Sequence, residues 1–134
     1  MRRTSLWVLL ILGLGFSSHF AESCAADQRI DMRSLFAHNV PLMLQFGKSW
    51  CPTCKSTKPI LDRTARLYAG KALVVPVDVE VNMELVRNFR VRLIPTQIFI
   101  MPDGREFFRH EGILQAPLIA DVFSKMGVPQ IEVR

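Results

Sequence analysis

The sequence predicts an α/β domain with a central mixed sheet of about four strands flanked by helices. Three observations lead there. Segments of helical periodicity alternate with short β-branched or wholly apolar runs. A Pro-Asp-Gly turn at 102–104 separates two strand-like runs, as in a hairpin. The run at 40–46 (VPLMLQF) is almost entirely apolar, which suits a strand covered by helices on both faces.

Along the chain, residues 31–39 (DMRSLFAHN) place Met32, Leu35 and Phe36 at helical spacing. The strand at 40–46 breaks at Gly47-Lys48-Ser49. A helical pattern follows from 52 to about 69, with Ile60, Leu61, Thr64 and Leu67 at three- and four-residue steps. Pro59 is expected to kink this helix and Gly70 to end it. Residues 73–79 (LVVPVDV) read as a strand, and Pro76 argues for a peripheral or irregular position. Asn82 is placed to cap a short helix through Phe89, with Leu85 and Phe89 on one face. Strands at 96–101 (TQIFIM) and 105–110 flank the turn. Pro117 opens a last helix whose stripe is Leu118, Ile119, Val122, Phe123 and Met126. Two strand-helix-strand units predict parallel pairing, and the final hairpin adds antiparallel strands.

The length, 134 residues, suits one domain, and 49% hydrophobic with 22% charged residues is a globular composition. The net charge of +5 comes from scattered Lys and Arg, with no basic block beyond Arg2-Arg3. Aromatic interleaving of the kind a nucleic-acid surface needs is missing, so no nucleic-acid partner is expected. The N-terminus is different. Arg2-Arg3 precede an unbroken apolar run at 6–16 (LWVLLILGLGF), and small and polar residues follow. That is the layout of a secretory signal peptide, predicted over 1–26 with cleavage near 23–26, and it leaves a domain at 27–134. The run is short for a membrane span, which needs roughly 18 residues or more. An uncleaved anchor and a lipidated Cys24 are the alternatives, each a possible membrane tether. Glu22, within Ala21-Glu22-Ser23, fits a lipoprotein signal poorly. The expected location is outside the cytoplasm, in a periplasm or cell envelope.

Export bears on Cys51 and Cys54. A Cys-x-x-Cys pair can be a redox couple, half of a zinc site, a copper clamp or two packed thiols. A two-residue gap closes almost no chain loop, so a purely structural bridge would restrict the unfolded chain little. Structural zinc wants four ligands, and His38 and His110 are not at ligand spacing; His110 reads as an exposed strand residue. No metal is therefore expected. Cys51 falls where a strand runs into a helix N-terminus, whose unpaired N–H groups and dipole favour its thiolate. Cys54 lies one turn further on the same side.

Three separated pieces, WCPTCK with KPILDRTA behind it, LIPT at 93–96 and PDGREFFRHEGIL at 102–114, resemble the thioredoxin family in order and spacing across roughly residues 42–126. The resemblance implies a thioredoxin-like fold and a thiol–disulfide oxidoreductase. Cys51 would be the exposed attacking thiol and Cys54 the buried resolving one, with no cofactor beyond the redox-active disulfide Cys51–Cys54. It also implies that Pro95 is a cis-proline facing the pair and that the Ile94 backbone pairs with an extended substrate segment. Trp50 would shield the cysteines, and Gly104 and Gly112 would serve as backbone devices.

The departures from the family are informative. Gln45 stands where thioredoxin has a buried Asp, and Pro76 where it often has that Asp's Lys partner. Pro52-Thr53 replaces Gly-Pro between the cysteines. Lys48, Lys55 and Lys58 lie near Cys51 in sequence with no acid between residues 45 and 58. Together these predict a Cys51 pKa below about 8.5 and a potential above roughly −270 mV. The expected partners are protein thiols and disulfides, with a transmembrane electron-conducting reductase to recharge the pair. A reducing role is favoured, because the chain has no room for the inserted helical subdomain of dedicated oxidases. A disulfide-forming oxidase or isomerase of the same fold, a metal-binding module and an interaction domain with a vestigial site are the alternatives.

Overall fold

The computed structural model describes residues 29–130; the predicted signal peptide, Cys24 and residues 131–134 lie outside the described residues. The elements run α1 (Met32–Phe36), β1 (Leu42–Gly47), α2 (Pro52–Leu67), β2 (Leu73–Asp78), α3 (Met83–Asn88), β3 (Thr96–Ile100), β4 (Glu106–Glu111) and α4 (Ala116–Lys125). The four strands form one sheet in the order β2-β1-β3-β4. β1 pairs in parallel with β2, Leu42 opposite Leu73 and Gly47 opposite Asp78. It pairs antiparallel with β3, Phe46 opposite Thr96, and β3 pairs antiparallel with β4.

This corrects one expectation. Only the first strand-helix-strand unit is parallel. The second, β2-α3-β3, joins strands that run in opposite directions. Helix α3 has six residues and so spans only about 9 Å, too little to carry the chain back along the sheet. It crosses at the end where β2 finishes, and β3 starts there.

Strand alternation divides the core into two layers. Leu42, Leu44, Phe46, Val77, Ile98 and Ile100 face α1 and α3, where Met32, Leu35, Phe36, Leu85 and Phe89 pack against them. Met43, Phe99 and Phe108 face α2 and α4, with Ile60, Leu61, Leu67, Ile119, Val122 and Phe123. Phe99 anchors the second layer: its ring centroid lies 5.3 Å from that of Phe123 and 5.9 Å from that of Phe108. Arg109 ties the sheet to the end of α3 by donating to the Phe89 carbonyl at 2.8 Å.

Several local expectations are refined. Helix α2 takes Pro59 inside it and continues to Leu67, and Gly70 follows at φ +74. Pro76 lies in β2, which is an edge strand. Asn82 occupies the N-cap position of α3 without bonding to the helix through its side chain. Its amide instead accepts from Ile30 N at 2.8 Å and donates to the Asp78 carbonyl at 3.1 Å, joining the N-terminal segment to the end of β2. Leu118 falls outside the buried stripe of α4 and is exposed, while Ile119, Val122 and Phe123 are buried. No helix among the described residues is long and apolar enough to cross a membrane.

Because Phe99 is itself fully buried and joins two aromatic partners, Phe99→Ala is expected to cost about 3–5 kcal/mol. Urea unfolding followed by circular dichroism measures this, and a loss below about 1 kcal/mol would contradict the packing described.

Candidate active site

The site forms where β1 ends. After Gly47 the loop through Lys48, Ser49 and Trp50 leads to Cys51, which is the N-cap of α2 in extended conformation. Pro52 follows in the first turn, where a missing N–H costs no helical bond. The first turn carries no acidic residue. Cys51 acts as a capping side chain: its Sγ accepts from the Cys54 backbone N–H at 3.3 Å. The Thr53 Oγ1 lies 3.1 Å from the same sulfur, and the Cys54 thiol points at it across 2.7 Å.

These contacts push the two thiols apart in acidity. Cys51 is lowered from the ordinary 9.0, first by the Cys54 thiol and then by the Thr53 hydroxyl; burial opposes them, and the backbone N–H groups add smaller lowering effects. Cys54 is raised, first by burial and then by its bond to Cys51; the Lys48 backbone N–H pulls weakly the other way. Exposure by area runs against expectation. Cys51 keeps only 7% of its surface and is not an exposed thiol, whereas Cys54 is half-buried. The cause is the capping geometry, which folds the Cys51 side chain back over the first turn. Burial nonetheless pushes the Cys54 thiol up, and its sulfur lies against the Gly47 backbone.

The floor under the pair is strand β1. A Cβ built on Gly47 would come within 3.1 Å of Cys54 Sγ, so that sulfur rests against bare backbone. Gln45, the next residue on the same face, is buried and lies opposite Gln97 of β3. Gln97 Nε2 donates to Gln45 Oε1 at 2.7 Å and to the Gly112 carbonyl at 3.1 Å. The Ile94–Pro95 peptide bond is cis, Pro95 is buried and Ile94 half-buried. Gly112 N donates to the Pro95 carbonyl at 2.7 Å, and Gly112 itself has φ +105, a value that favours glycine. Because Thr96 pairs with Phe46, Pro95 falls beside Gly47 at the dithiol end of the sheet.

The nearby lysines are differently placed from one another. Lys48 forms an ion pair with Glu80 at 2.8 Å and lies 4.7 Å from the Trp50 ring centroid. Trp50 is 62% exposed, so it extends from the site more than it covers it. Lys58 pairs with Asp62 at 2.7 Å, and Lys55 is exposed. The influences that lower Cys51 are local hydrogen bonds, and no lysine is among them. His110 is half-buried in β4 opposite Gln97, rather than exposed. Among the described residues no group of three or more His, Cys, Asp or Glu side chains could hold a metal ion. Gln97, Gly47 and Glu80 were not singled out by the sequence. Gln97 is the one with a readable signal, as the single amide in an otherwise apolar strand.

Two free thiols on the first turn of a helix, beside a cis-proline at the start of an interior strand of a mixed four-stranded sheet, define a dithiol protein of thioredoxin-like architecture. A family model described as Thioredoxin matches residues 27–125. Thioredoxin of Haemophilus influenzae is 39% identical over 87 residues, 65% of this chain and 80% of that protein. The chloroplastic thioredoxin-like protein CITRX of Solanum tuberosum is 34% identical over 87 residues, 64% of this chain and 50% of that protein. The chain thus spans about half the length of the CITRX proteins it matches. Among solved structures, the Drosophila melanogaster thioredoxin Deadhead superposes with a TM-score of 0.63 at 26% identity, over 70% of this chain and 89% of that one. Chloroplastic thioredoxin z shares the fold, with a TM-score of 0.64 at 24% identity over 75% of this chain and 93% of that one. The chain belongs to the thioredoxin family, a family of thiol–disulfide oxidoreductases.

Thr53→Val keeps the shape of residue 53 and removes the hydroxyl that stabilises the Cys51 thiolate. It is expected to raise the Cys51 pKa, moving the pH midpoint of thiolate ultraviolet absorbance upward and slowing alkylation at neutral pH. An unmoved midpoint would remove Thr53 from the account of Cys51 acidity.

Proposed function

We propose that the domain is an exported thiol–disulfide oxidoreductase that reduces or exchanges protein disulfides through Cys51 and Cys54. The observation that carries this reading is the divergence of two adjacent thiols: Cys51 is held in favour of its thiolate, and Cys54 is kept protonated beside it. The Cys51 thiolate attacks one sulfur of a substrate disulfide, and the other substrate sulfur leaves as a thiolate. Cys54 then gives up its proton and attacks Cys51 Sγ. The mixed disulfide breaks, the Cys51–Cys54 bond forms and the second substrate sulfur departs. Two electrons pass to the substrate. The backbone at Ile94, beside cis-Pro95, is the edge on which an extended substrate segment would pair.

Export is supported by Arg2-Arg3 and the apolar run at 6–16. Some relatives are named as chloroplastic, but a transit segment is Arg- and Ser-rich and amphipathic, unlike this run. In a periplasm or cell envelope a reductant must be recharged, and a transmembrane electron-conducting reductase is the partner that would do so. A second reading, a disulfide-forming oxidase or isomerase, is favoured by one observation. Stabilising the Cys51 thiolate stabilises the reduced form and makes the couple more oxidising.

Insulin reduction with dithiothreitol as the electron source is expected to proceed with the unaltered protein and to stop in Cys51→Ser. No turnover with any reductant would overturn the oxidoreductase reading. Thiol trapping of the protein in its own compartment separates the two directions: a mainly reduced pair supports the reductase, a mainly oxidised pair the oxidase. Mass spectrometry of the mature N-terminus is expected to show an unmodified residue between 24 and 27. A retained leader or an acylated Cys24 would replace a free periplasmic protein with a tethered one.

A further inference from the structure

Helix α2, which begins at the dithiol, carries mostly one sign of charge on its outer face. Between Pro52 and Leu67 the charged residues are Lys55, Lys58, Asp62, Arg63 and Arg66, all exposed. At roughly 100° per residue they fall on one side, opposite the buried Thr57 and Thr64 and the core-facing Ile60, Leu61 and Leu67. Asp62 is paired with Lys58 at 2.7 Å. Among the described residues Lys55, Arg63 and Arg66 have no ion-pair partner. Lys71, exposed just beyond the helix, continues the same sign. The adjacent helix α4 does not neutralise this face, because Asp121, its only acid, is paired with its own Lys125 at 2.7 Å.

This arrangement works against the helix. Lys55 and Lys58 are neighbours of like charge three residues apart, and so are Arg63 and Arg66. Lys55 also lies just past the first turn, near the positive end of the helix dipole, and that turn has no acid to offset it. A face that serves only solubility is better made with both signs, since Glu–Lys pairs at this spacing stabilise a helix. The excess of one sign points to an anionic occupant. None of the large exposed apolar side chains among the described residues lies on α2, so the face has only charge to offer a lipid surface. No aromatic ring stands among the cations to stack on bases. The helix begins at Cys51, so an occupant that also meets the reactive sulfur is one that carries a disulfide, a polypeptide.

We propose that the outer face of α2 is a docking surface for client proteins that carry a cluster of Asp and Glu near the disulfide to be reduced. This rests on the oxidoreductase reading above and adds the class of client that the site selects. Carboxylates set against Lys55, Arg63 and Arg66 gain charge-assisted hydrogen bonds, and each arginine can hold a carboxylate through two parallel N–H groups. The helix also fixes where the acids belong. Arg63 and Arg66 lie roughly 18 and 22 Å along α2 from Cys51. An extended chain covers about 3.3 Å per residue, so the acidic cluster begins about five to seven residues from the client cysteine. At that range the two arginines act on docking and not on the Cys51 thiolate, because they lie beyond the Debye length of about 8 Å at physiological salt.

The test uses synthetic peptides closed by the same single disulfide. One carries a run of Glu beginning about six residues from the nearer cysteine, and the others carry Gln or Lys in its place. Each is mixed with the reduced protein, and the reduced peptide is quantified after acid quench. The Glu peptide is expected to be reduced about tenfold faster than the Gln peptide at low ionic strength, and less than about twofold faster in about 0.5 M sodium chloride. Arg63→Gln with Arg66→Gln is expected to remove most of that advantage while leaving the Gln-peptide rate within about twofold. Arg63→Glu with Arg66→Glu is expected to reverse the preference toward the Lys peptide, whereas a misfolded protein would lose all three rates together. Equal rates with the Glu and Gln peptides, an advantage that survives salt, or an advantage unchanged in the arginine variants would each overturn the docking surface. Binding to phosphatidylglycerol vesicles that is lost in the Gln variant, with no preference among the peptides, would overturn it in favour of a membrane contact. No reduction of any peptide would overturn the oxidoreductase reading itself, and the docking surface with it.

Discussion

Strand β1 is bonded along both edges, by parallel β2 and antiparallel β3, and its residues from Leu42 to Gln45 and Phe46 are buried on both faces. Such a strand cannot shift register by one residue without turning Leu42, Leu44 and Phe46 out of one layer and Met43 and Gln45 out of the other. That rigidity is what places the first turn of α2. The loop from Gly47 to Trp50 is short, so the position of Cys51 is set by where β1 stops. The N-cap role of Cys51, the contact of Cys54 with Gly47 and the alignment of Pro95 beside them all follow from one fixed strand end.

The electrostatics of the pair is local. Lys48 and Lys58 have carboxylate partners, and exposed ion pairs of this kind do little at a distance in salt. What distinguishes the two thiols is donors within a turn of helix, the Cys54 thiol first and then the Thr53 hydroxyl at Cys51, against burial at Cys54. Helix capping is usually a stability device. Here the capping atom is also the sulfur whose charge matters, so helix start and reactive group are the same object.

Much of this was legible in the sequence, because the signals were local. The apolar run at 40–46, the Pro-Asp-Gly turn and the Cys-x-x-Cys at a strand-to-helix junction each depend on neighbours in the chain, and each element appears where its pattern put it. The second crossover was misread because periodicity gives the type of an element and not its direction; only the shortness of α3 hinted at the answer. Asn82 had the composition of a cap, but a partner 52 residues away took its oxygen. The exposure of Cys51 depended on a side-chain rotation that no spacing encodes. Gln97 carried a signal, the single amide in TQIFI, but nothing local to it pointed to a partner 52 residues away.

Gly47 joins the scaffold to the chemistry most directly. Its missing side chain is the space in which the second sulfur sits, at 3.1 Å from where a single methyl carbon would be. The spacing between strand and sulfur is thus set by a difference of one carbon atom, inside the strand that also organises the fold. A side chain added there would crowd the Cys54 sulfur, which would have to give by a few tenths of an ångström. Redox tuning by ordinary substitution is therefore easier from the sides, through residues such as Thr53, while the support itself stays bare.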